Sequence, residues 1–555
     1  MSFRTKRLPV SSVAYVDHNI PASIPANTLR ACWLSLENRG STPWHQDHRH
    51  RSGPGLAIYV NESCLTTLKI PAPIVQPNER VTLHWTFRTP AAVGSHVLKI
   101  VMVGTDAAPI DPDGATLRVN FETTNEAPSA TSRLMDEAFA RNSWFSFPSQ
   151  GISWSTTGHG YPLFAREAKG CRLTDHEGRP YIDYVMGWGC ALLGYANGRI
   201  QRAVGDALGS AGILSLPSLL EMDVTRMLHA SFECAEMAVF SKNGSDVCTA
   251  AARLARRYTG RLTILVCGYH GWQDWYVESF GFHTTGVPER SEPLIVRFPF
   301  NDLAEFKRLM KVHRGQVAAV MLEPAGPVEG LNSPLHDANP EFLNQVAAIA
   351  RSEGSLLIFD EIMTGFRYPR GSVQRATGVT PDLACFGKAL SAGMPLSALV
   401  GRARIFETAM SKIYYGPTFK SEAYSFAAAK AALMFYQEED VPGHISTYGN
   451  RLKNSVNELC RQIGVPAELT GPPFRMNLIF REPDEQRLVC MRTLVQQELL
   501  KKGVITYRGF MLPSFAHDDQ AFDETIVAFQ HALGVLALAA SENGYAKYLE
   551  IPPIS

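Results

Sequence analysis

The first part of the chain alternates apolar and polar residues, with no helical period among residues 10–121. The clearest alternation places apolar side chains at every second position, at Val81, Leu83, Trp85 and Phe87. A period of two predicts β-strands with one buried face, and the extended run at 97–103 predicts another strand. Because Pro, Gly and Asn residues separate these short segments, we expect a β-sandwich in this part of the chain.

A polar, proline-containing segment at residues 122–132 separates this part from a second, different pattern. Beyond it, short continuous apolar runs alternate with segments of helical spacing, such as residues 247–258. The runs are Met237–Ser241, Leu262–Val266, Val317–Leu322, Leu356–Phe359 and Leu383–Phe386. Strands that are apolar on both faces predict a largely parallel sheet with helices on both sides, which is an α/β fold.

The composition excludes several classes of function. Lys plus Arg and Asp plus Glu both total 53, so no net charge would attract nucleic acid or an anionic membrane. The ten cysteines include no C-x-x-C pair, which predicts reduced thiols. We see neither a secretory segment nor an apolar stretch of roughly 18 residues, and therefore expect a cytoplasmic protein. His45, His48 and His50 fit no standard zinc spacing, and we expect no metal.

The strongest chemical signal is an acid and a lysine, each placed after an apolar run. Asp360 ends the run at 355–360, and Lys388 lies in an apolar turn after 383–386. A buried carboxylate loses hydration unless a cation pairs with it, and burial lowers the pKa of a lysine so that it can attack a carbonyl. Pyridoxal phosphate chemistry requires such a pair, since the acid keeps the pyridine nitrogen protonated and the lysine forms a Schiff base. We therefore expect pyridoxal 5'-phosphate as the cofactor.

A phosphate-binding turn is predicted where the first of these apolar runs meets its helix. Asn243, Gly244 and Ser245 lie at this junction. A helix amino terminus presents free N–H groups to an anion, Gly244 permits a close approach, and Ser245 adds a hydroxyl donor. The same residues could also be an ordinary helix cap, for which Ser and Asp are common.

Several of these segments resemble the class III, fold type I, aminotransferases that depend on pyridoxal phosphate. The resemblance is carried by the phosphate turn at 241–256, by Glu361–Arg367 after the acid, and by Phe386–Gly401 around the lysine. Within that class, Pro180–Gly189 and Tyr507–His517 are most similar to glutamate-1-semialdehyde 2,1-aminomutase and its aminotransferase relatives.

The resemblance implies roles for further residues. Tyr269 would stack on one face of the cofactor ring and Ile362 would pack on the other, although a buried tyrosine could also belong to the core. Glu323, at the end of another apolar run, would lie near the phenolic oxygen of the cofactor and near the substrate, unless it is a plain surface acid. Thr418 would reach the cofactor phosphate of a second subunit, which implies a homodimer with shared sites.

The reaction is predicted less directly. Where the aminomutase has an arginine for the substrate carboxylate, an ungapped alignment places Ser153 in this chain, and the loss of a bidentate clamp favours an aminotransferase. Trp188 and Arg508 are candidate substrate contacts, though a core position and a solvated surface position explain them as well. We expect ping-pong transfer of an amino group from an amine or amino-acid donor to a carbonyl acceptor. An aminomutase, or a non-catalytic binding protein with this fold, are the alternatives.

The resemblance also implies how the chain is divided. We expect a β-sandwich over residues 1–125, in which 33–40 loosely resembles immunoglobulin-like modules, and then a linker with the first part of a small domain over 126–199. A large cofactor-binding domain over 200–435 and the rest of the small α+β domain over 436–555 would follow. A sandwich of this size more often packs against a neighbour or binds a partner than carries chemistry.

Overall fold

A computed structural model describes residues 13–18, 20, 23–25, 29–38, 44–45, 55–69, 74–75, 80–103, 116–124, 133–134, 137, 164–210, 212–279, 286–288, 294–542 and 544–549. The chain divides into two compact units, of which the first comprises 1–166, 174–179 and 545–555 and the second comprises 167–173 and 180–544. Ser153, His48 and His50 lie outside the described residues. The division into four domains stays a prediction.

The first unit contains ten described strands. They are β1 (Val13–His18), β2 (Ser23–Pro25), β3 (Leu29–Asn38), β4 (Trp44–His45), β5 (Gly55–Val60), β6 (Ser63–Lys69), β7 (Ile74–Val75), β8 (Arg80–Arg88), β9 (Gly94–Val103) and β10 (Thr116–Thr124). One sheet has the order β1-β3-β8, a second has the order β2-β10-β9-β5-β6, and β4 pairs with β7. Leu34 and Leu83 of the first sheet share one buried cluster with Ile58 and Ile100 of the second. The two sheets therefore pack face to face as a sandwich, and its immunoglobulin-like assignment stays a prediction.

Fourteen further strands follow in the chain. They are β11 (Ala165–Lys169), β12 (Arg172–Asp175), β13 (Pro180–Asp183), β14 (Met237–Ser241), β15 (Thr263–Cys267), β16 (Ile295–Arg297), β17 (Val317–Leu322), β18 (Leu356–Asp360), β19 (Leu383–Phe386), β20 (Ser397–Gly401), β21 (Ala467–Thr470), β22 (Met476–Phe480), β23 (Val504–Ile505) and β24 (Phe510–Met511). Seven of them form a large sheet in the order β14-β20-β19-β18-β17-β15-β16. β20 is antiparallel to both of its neighbours, and the other pairs are parallel. The prediction of a largely parallel sheet is confirmed.

Thirteen α-helices accompany these strands in the described part of the chain. They are α1 (Met186–Gly189), α2 (Gly198–Ser210), α3 (Leu219–Ser231), α4 (Gly244–Thr259), α5 (Asp274–Val277), α6 (Leu303–Val312), α7 (Pro340–Ser352), α8 (Val373–Thr377), α9 (Ala403–Ala409), α10 (Ala423–Glu438), α11 (Val441–Ile463), α12 (Glu485–Lys501) and α13 (Asp519–Ser541). Neighbouring residues of the large sheet face opposite sides, since Leu265 and Leu357 share a buried cluster with α7 whereas Ile264 and Ile358 share another with α4. The strands are apolar throughout because both faces are covered.

A smaller sheet joins the segment that precedes the large sheet in the sequence to the segment that follows it, because β13 pairs in parallel with β23. Among the described helices, α13 is long and apolar enough to cross a membrane by length and composition alone. A core helix passes the same test, and Phe529, Leu533 and Leu536 of α13 are buried in the fold. Each of the nine cysteines with described side chains is free.

Candidate active site

Four of the predicted site residues meet at one edge of the large sheet. Asp360 is the last residue of β18, Glu323 directly follows β17, and Lys388 and Tyr269 each follow their strand, β19 and β15, after a single glycine. Because β15, β17, β18 and β19 are parallel, their carboxyl ends lie together. Open α/β sheets bind ligands at this edge.

Lys388 has the backbone and the environment of a reactive residue. It begins a single 3-10 turn, Lys388–Ser391, and its φ of +45° lies in the left-handed region that non-glycine residues rarely adopt. Burial lowers the pKa of the Lys388 amine, the charge of Arg475 lowers this pKa further, and Glu323 raises it. Together these effects favour the neutral amine, which is the form that attacks a carbonyl.

Asp360 is held in one orientation by three hydrogen bonds. Its Oδ2 lies 2.8 Å from Nδ1 of His270 and accepts from Sγ of Cys248 at 3.5 Å, while its Oδ1 accepts from the backbone N–H of Ile362 at 3.1 Å. Cys248, His270 and Asp360 each place one atom within 4.8 Å of the other two. Asp360 is only 2% exposed, so its charge acts in a medium where a cation is strongly favoured.

The amino terminus of α4 approaches Ile362 closely. A Cβ on Gly244, the first residue of α4, would lie 2.5 Å from Cδ1 of Ile362. A Cβ on Gly271 would lie 2.4 Å from Cβ of Ser245, and the φ of Gly271 is +120°. Both positions therefore require glycine, and any larger residue would push the helix start away from the sheet edge.

The turn before α4 is fixed through its backbone. The N–H of Asn243 donates to Oδ2 of Asp246 at 3.0 Å, and its carbonyl accepts from Oγ of Ser397 at 2.8 Å. Oγ of Ser241 donates to the same carboxylate oxygen of Asp246 at 2.8 Å. The first N–H groups of a helix have no partner within the helix, so this rigid turn presents donors to an anion.

Glu323 is buried between two donors. Its Oε2 accepts from the backbone N–H of Tyr269 at 2.9 Å, and its Oε1 accepts from Nη1 of Arg475 at 2.8 Å. The ring of Tyr269 lies edge-on to that of Tyr276 with a centroid distance of 6.0 Å, and 51% of Tyr269 is exposed. Half of the tyrosine surface therefore remains available to a ligand beside Glu323.

These residues fit pyridoxal phosphate. A protonated ring nitrogen needs a buried carboxylate such as Asp360, an aldehyde needs an amine with a lowered pKa such as Lys388, and a phosphate needs a helix start such as that of α4. The close packing at Gly244 and Gly271 brings that helix start to the edge of the sheet where the other two groups lie.

Three other predicted residues lie outside the strand ends that carry these four residues. Thr418 is exposed in the segment before α10. Trp188 is 46% exposed, with its ring 4.6 Å from that of Tyr507. Arg508 is buried rather than solvated, since its N–H donates to Oε1 of Gln496 at 2.9 Å and its guanidinium lies 5.5 Å from the Tyr507 ring centroid.

The structure adds four residues to which the sequence assigns no role. They are His270 and Cys248 beside Asp360, Arg475 beside Glu323, and Arg367, which donates to the carbonyl oxygens of Met363 and Gly189. Burial lowers the pKa of Arg367 to about 10. His270 follows Tyr269 directly and could have been found from that position, whereas no local signal marks Arg475.

Comparisons with known proteins agree with this geometry. The family described as Aminotransferase class-III matches residues 154–533, which leaves the amino-terminal sandwich outside the match. A 3-aminobutyryl-CoA aminotransferase of Cloacimonas acidaminovorans is 30% identical, with 67% of this chain and 89% of that protein covered. A glutamate-1-semialdehyde 2,1-aminomutase of Syntrophobacter fumaroxidans is 32% identical, with 67% and 90% covered. The solved PLP internal aldimine form of the FumI protein of Sphingopyxis sp. MTA144 has a TM-score of 0.67 and 26% identity, with 76% of this chain and 97% of that chain covered.

Proposed function

Because the chain belongs to the class III aminotransferases, enzymes that depend on pyridoxal 5'-phosphate, we propose that its site at Lys388 carries out ping-pong transfer of an amino group. The nitrogen would pass from an amine or amino-acid donor to a carbonyl acceptor. The observation that carries this proposal is the pair formed by Asp360, which is 2% exposed, and Lys388, whose pKa is lowered by desolvation, at the carboxyl ends of neighbouring parallel strands.

Most of these residues would hold the cofactor, and Lys388 would transfer protons. Asp360 would hold the protonated ring nitrogen, the start of α4 at Gly244 and Ser245 would hold the phosphate, and Ile362 and Tyr269 would pack on the ring. When bound, the cofactor supplies an electron sink for the carbon that carries the amino group. The low pKa of Lys388 keeps its Nζ able to accept a proton from substrate and to return it, as a general base and then a general acid.

Transfer of labelled nitrogen tests this proposal. The protein loaded with pyridoxal phosphate is incubated with 15N-labelled amines or amino acids and with carbonyl acceptors, and mass spectrometry follows the label. We expect the label to appear in the acceptor and the donor to be recovered as its carbonyl compound. Failure of the protein to bind the cofactor, or binding without any transfer, would contradict the proposal.

An aminomutase is the second candidate, because a relative with that activity is 32% identical and 90% of its length is covered. The two activities differ in how many molecules exchange nitrogen. Isomerisation of glutamate-1-semialdehyde without any separate donor would identify an aminomutase. Label that appears in a second molecule identifies an aminotransferase.

We further propose that the enzyme is a cytoplasmic homodimer with shared sites. Exposed apolar side chains are concentrated in segments 213–222 and 414–419, where Leu216, Leu219 and Tyr414 are 75%, 84% and 84% exposed. The chain that carries the two segments meets at one point next to them, since the N–H of Ala423, beyond the second segment, donates to the carbonyl of Gly212, just before the first, at 2.9 Å. Apolar surface of this kind is typical of subunit interfaces, and Thr418, the candidate for the phosphate of the other subunit, lies in the second segment.

The double variant L216D/L219D is expected to be a monomer. Two carboxylates at an apolar interface would lose hydration without gaining partners, which should weaken association by about 10³-fold or more. Light scattering coupled to gel filtration measures the molecular mass of the variant. If the sites are shared between subunits, the monomeric variant should also lose transfer activity. Leu538→Asp, at an apolar residue of α13 that is 51% exposed, is the matched control. A double variant that remains dimeric would rule out this surface.

A further inference from the structure

One buried arginine lies outside the proposed active site. Arg492 belongs to α12 and is 5% exposed. Its Nε and Nη1 are both shielded from water, and neither has a hydrogen-bond acceptor among the described residues. Arginine stays protonated in proteins, so both atoms are charged donors. A buried charge without a partner is strongly unfavourable, which indicates that this guanidinium requires an acceptor that the described residues do not supply.

The polar side chain one turn further along α12 is already engaged. Gln496 accepts from the backbone N–H of Arg508 through Oε1 at 2.9 Å and donates through Nε2 to the carbonyl oxygen of Thr506 at 3.0 Å. It therefore fixes the turn between β23 and β24, which carries Arg508, itself 7% exposed. Burial lowers the pKa of Arg492, and the positive charge of Arg508 lowers this pKa further. The charge on that turn thus repels the charge of Arg492 and does not neutralise it.

Arg492 and Gln496 border a small cavity between α12, α13 and the strands β22 and β24. The volume of this cavity is about 10 Å³, which leaves room for about one particle of the size of a water molecule. Most of the remaining wall is apolar and includes Leu478, Phe480, Leu499, Met511 and Phe529. Apolar side chains cannot accept a hydrogen bond from Arg492. A ligand that satisfies this arginine inside the cavity must therefore be small and must bring its own negative charge.

We propose that this cavity binds one small monovalent anion, a halide such as chloride, through Arg492. The ion accepts charge-assisted hydrogen bonds from the buried N–H groups of Arg492, and its negative charge reduces the repulsion between Arg492 and Arg508. The flexible side chain of Met511 can adjust the wall to an ion slightly larger than water. Phosphate and organic acids are too large for this cavity. The inference is independent of the proposed function, because the site uses none of the residues proposed to hold pyridoxal phosphate.

Equilibrium dialysis against radioactive chloride tests the site directly. Wild type, Arg492→Met and Arg461→Met, each loaded with pyridoxal phosphate, are dialysed in gluconate buffer at constant ionic strength. Arg461 on α11 is the matched control, because its exposed guanidinium forms an ion pair with Glu458 at 2.7 Å. We expect Arg492→Met to bind about one chloride per chain fewer than wild type, and Arg461→Met to bind as many as wild type. Equal chloride binding by wild type and Arg492→Met would overturn the inference.

Thermal unfolding in different salts provides the second readout. Gluconate is too large for the cavity, whereas chloride and bromide are small. Replacing about 200 mM gluconate by chloride or bromide should raise the melting temperature of wild type by about 2 °C more than that of Arg492→Met. In gluconate, Arg492→Met should melt at the same temperature as wild type or higher, because methionine extends the apolar wall and removes an unpaired charge. Equal responses of the two proteins to chloride would contradict the site.

Two further measurements keep the test decisive if Arg492→Met does not fold. Arg492→Lys retains the charge but loses the planar guanidinium, and it should weaken chloride binding by about 10-fold. Crystals of wild type grown in bromide locate the ion through anomalous scattering at the bromine edge. We expect a bromide peak in the cavity beside the guanidinium of Arg492. Bromide peaks only at exposed cations, with none in this cavity, would refute the assignment.

Discussion

Replacement of Lys388 by alanine is expected to abolish amino transfer while the protein stays folded. Burial already disfavours the charged form of this lysine, and the positive charge of Arg475 adds to that effect, so its removal should not lower the melting temperature. The same amine is proposed to anchor the cofactor and to carry the substrate proton. Loss of both roles should lower kcat by at least about 10⁴-fold, measured as steady-state transfer of labelled nitrogen.

A lysine outside the proposed site provides the control that distinguishes loss of catalysis from loss of folded protein. Lys311→Ala removes an exposed lysine near the end of α6 and should retain wild-type turnover. In the wild-type enzyme, borohydride reduction followed by peptide mapping should place the cofactor mass on Lys388, and thermal unfolding should show equal stability for both variants. Undiminished transfer by Lys388→Ala, or a reduced adduct on another lysine, would refute the assigned role.

The parts of the site that the sequence predicts all lie at the ends of strongly patterned strands. Asp360 and Glu323 end or follow runs that are apolar on both faces, and such runs become buried parallel strands whose carboxyl ends meet. Lys388 follows a third such run after one glycine. The local pattern therefore predicts that these three groups lie at one edge, because parallel strands have their carboxyl ends on the same side of a sheet.

Arg475 could not be predicted in this way. It precedes β22, which pairs with β21 and β24 outside the large sheet, and it meets Glu323 across 152 positions of sequence. Nothing in its own segment indicates a partner, so only the tertiary packing of the second unit reveals the ion pair. Arg508 illustrates the opposite case, because a solvated surface position was the alternative to a substrate contact, yet the structure buries Arg508 and its N–H donates to Gln496.

Strand boundaries show the same limit. The run predicted at 262–266 is the strand Thr263–Cys267, one residue further on, and the helix predicted from 247 begins at Gly244. The pairing of β20 was not predicted, because its sequence Ser397–Gly401 lies close behind the lysine turn and reads as its continuation. Its antiparallel insertion between β14 and β19 depends on long-range pairing, which hydrophobic periodicity does not encode.

Asp360→Asn is the second substitution with a large expected effect. The amide has the shape of the carboxylate and can still accept from Cys248 or Ile362, but it lacks the charge that would keep a pyridine nitrogen protonated. Without that proton the cofactor is a much weaker electron sink, so kcat should fall by about 10³-fold or more. The measurement is transfer of labelled nitrogen at saturating cofactor, with the bound cofactor quantified in each sample.

Asp382 provides the matched control, because it is a second buried aspartate of the same sheet at the opposite end. It precedes β19, is 8% exposed, and accepts from the N–H of Leu357 at 3.0 Å. Asp382→Asn should lower the melting temperature at least as much as Asp360→Asn, since each removes one buried charge that is hydrogen-bonded to backbone. Only Asp360→Asn should lose transfer. Equal losses of transfer in the two variants would mean that the effect of Asp360→Asn comes from the packing of the sheet, and that the ring nitrogen is held by another group.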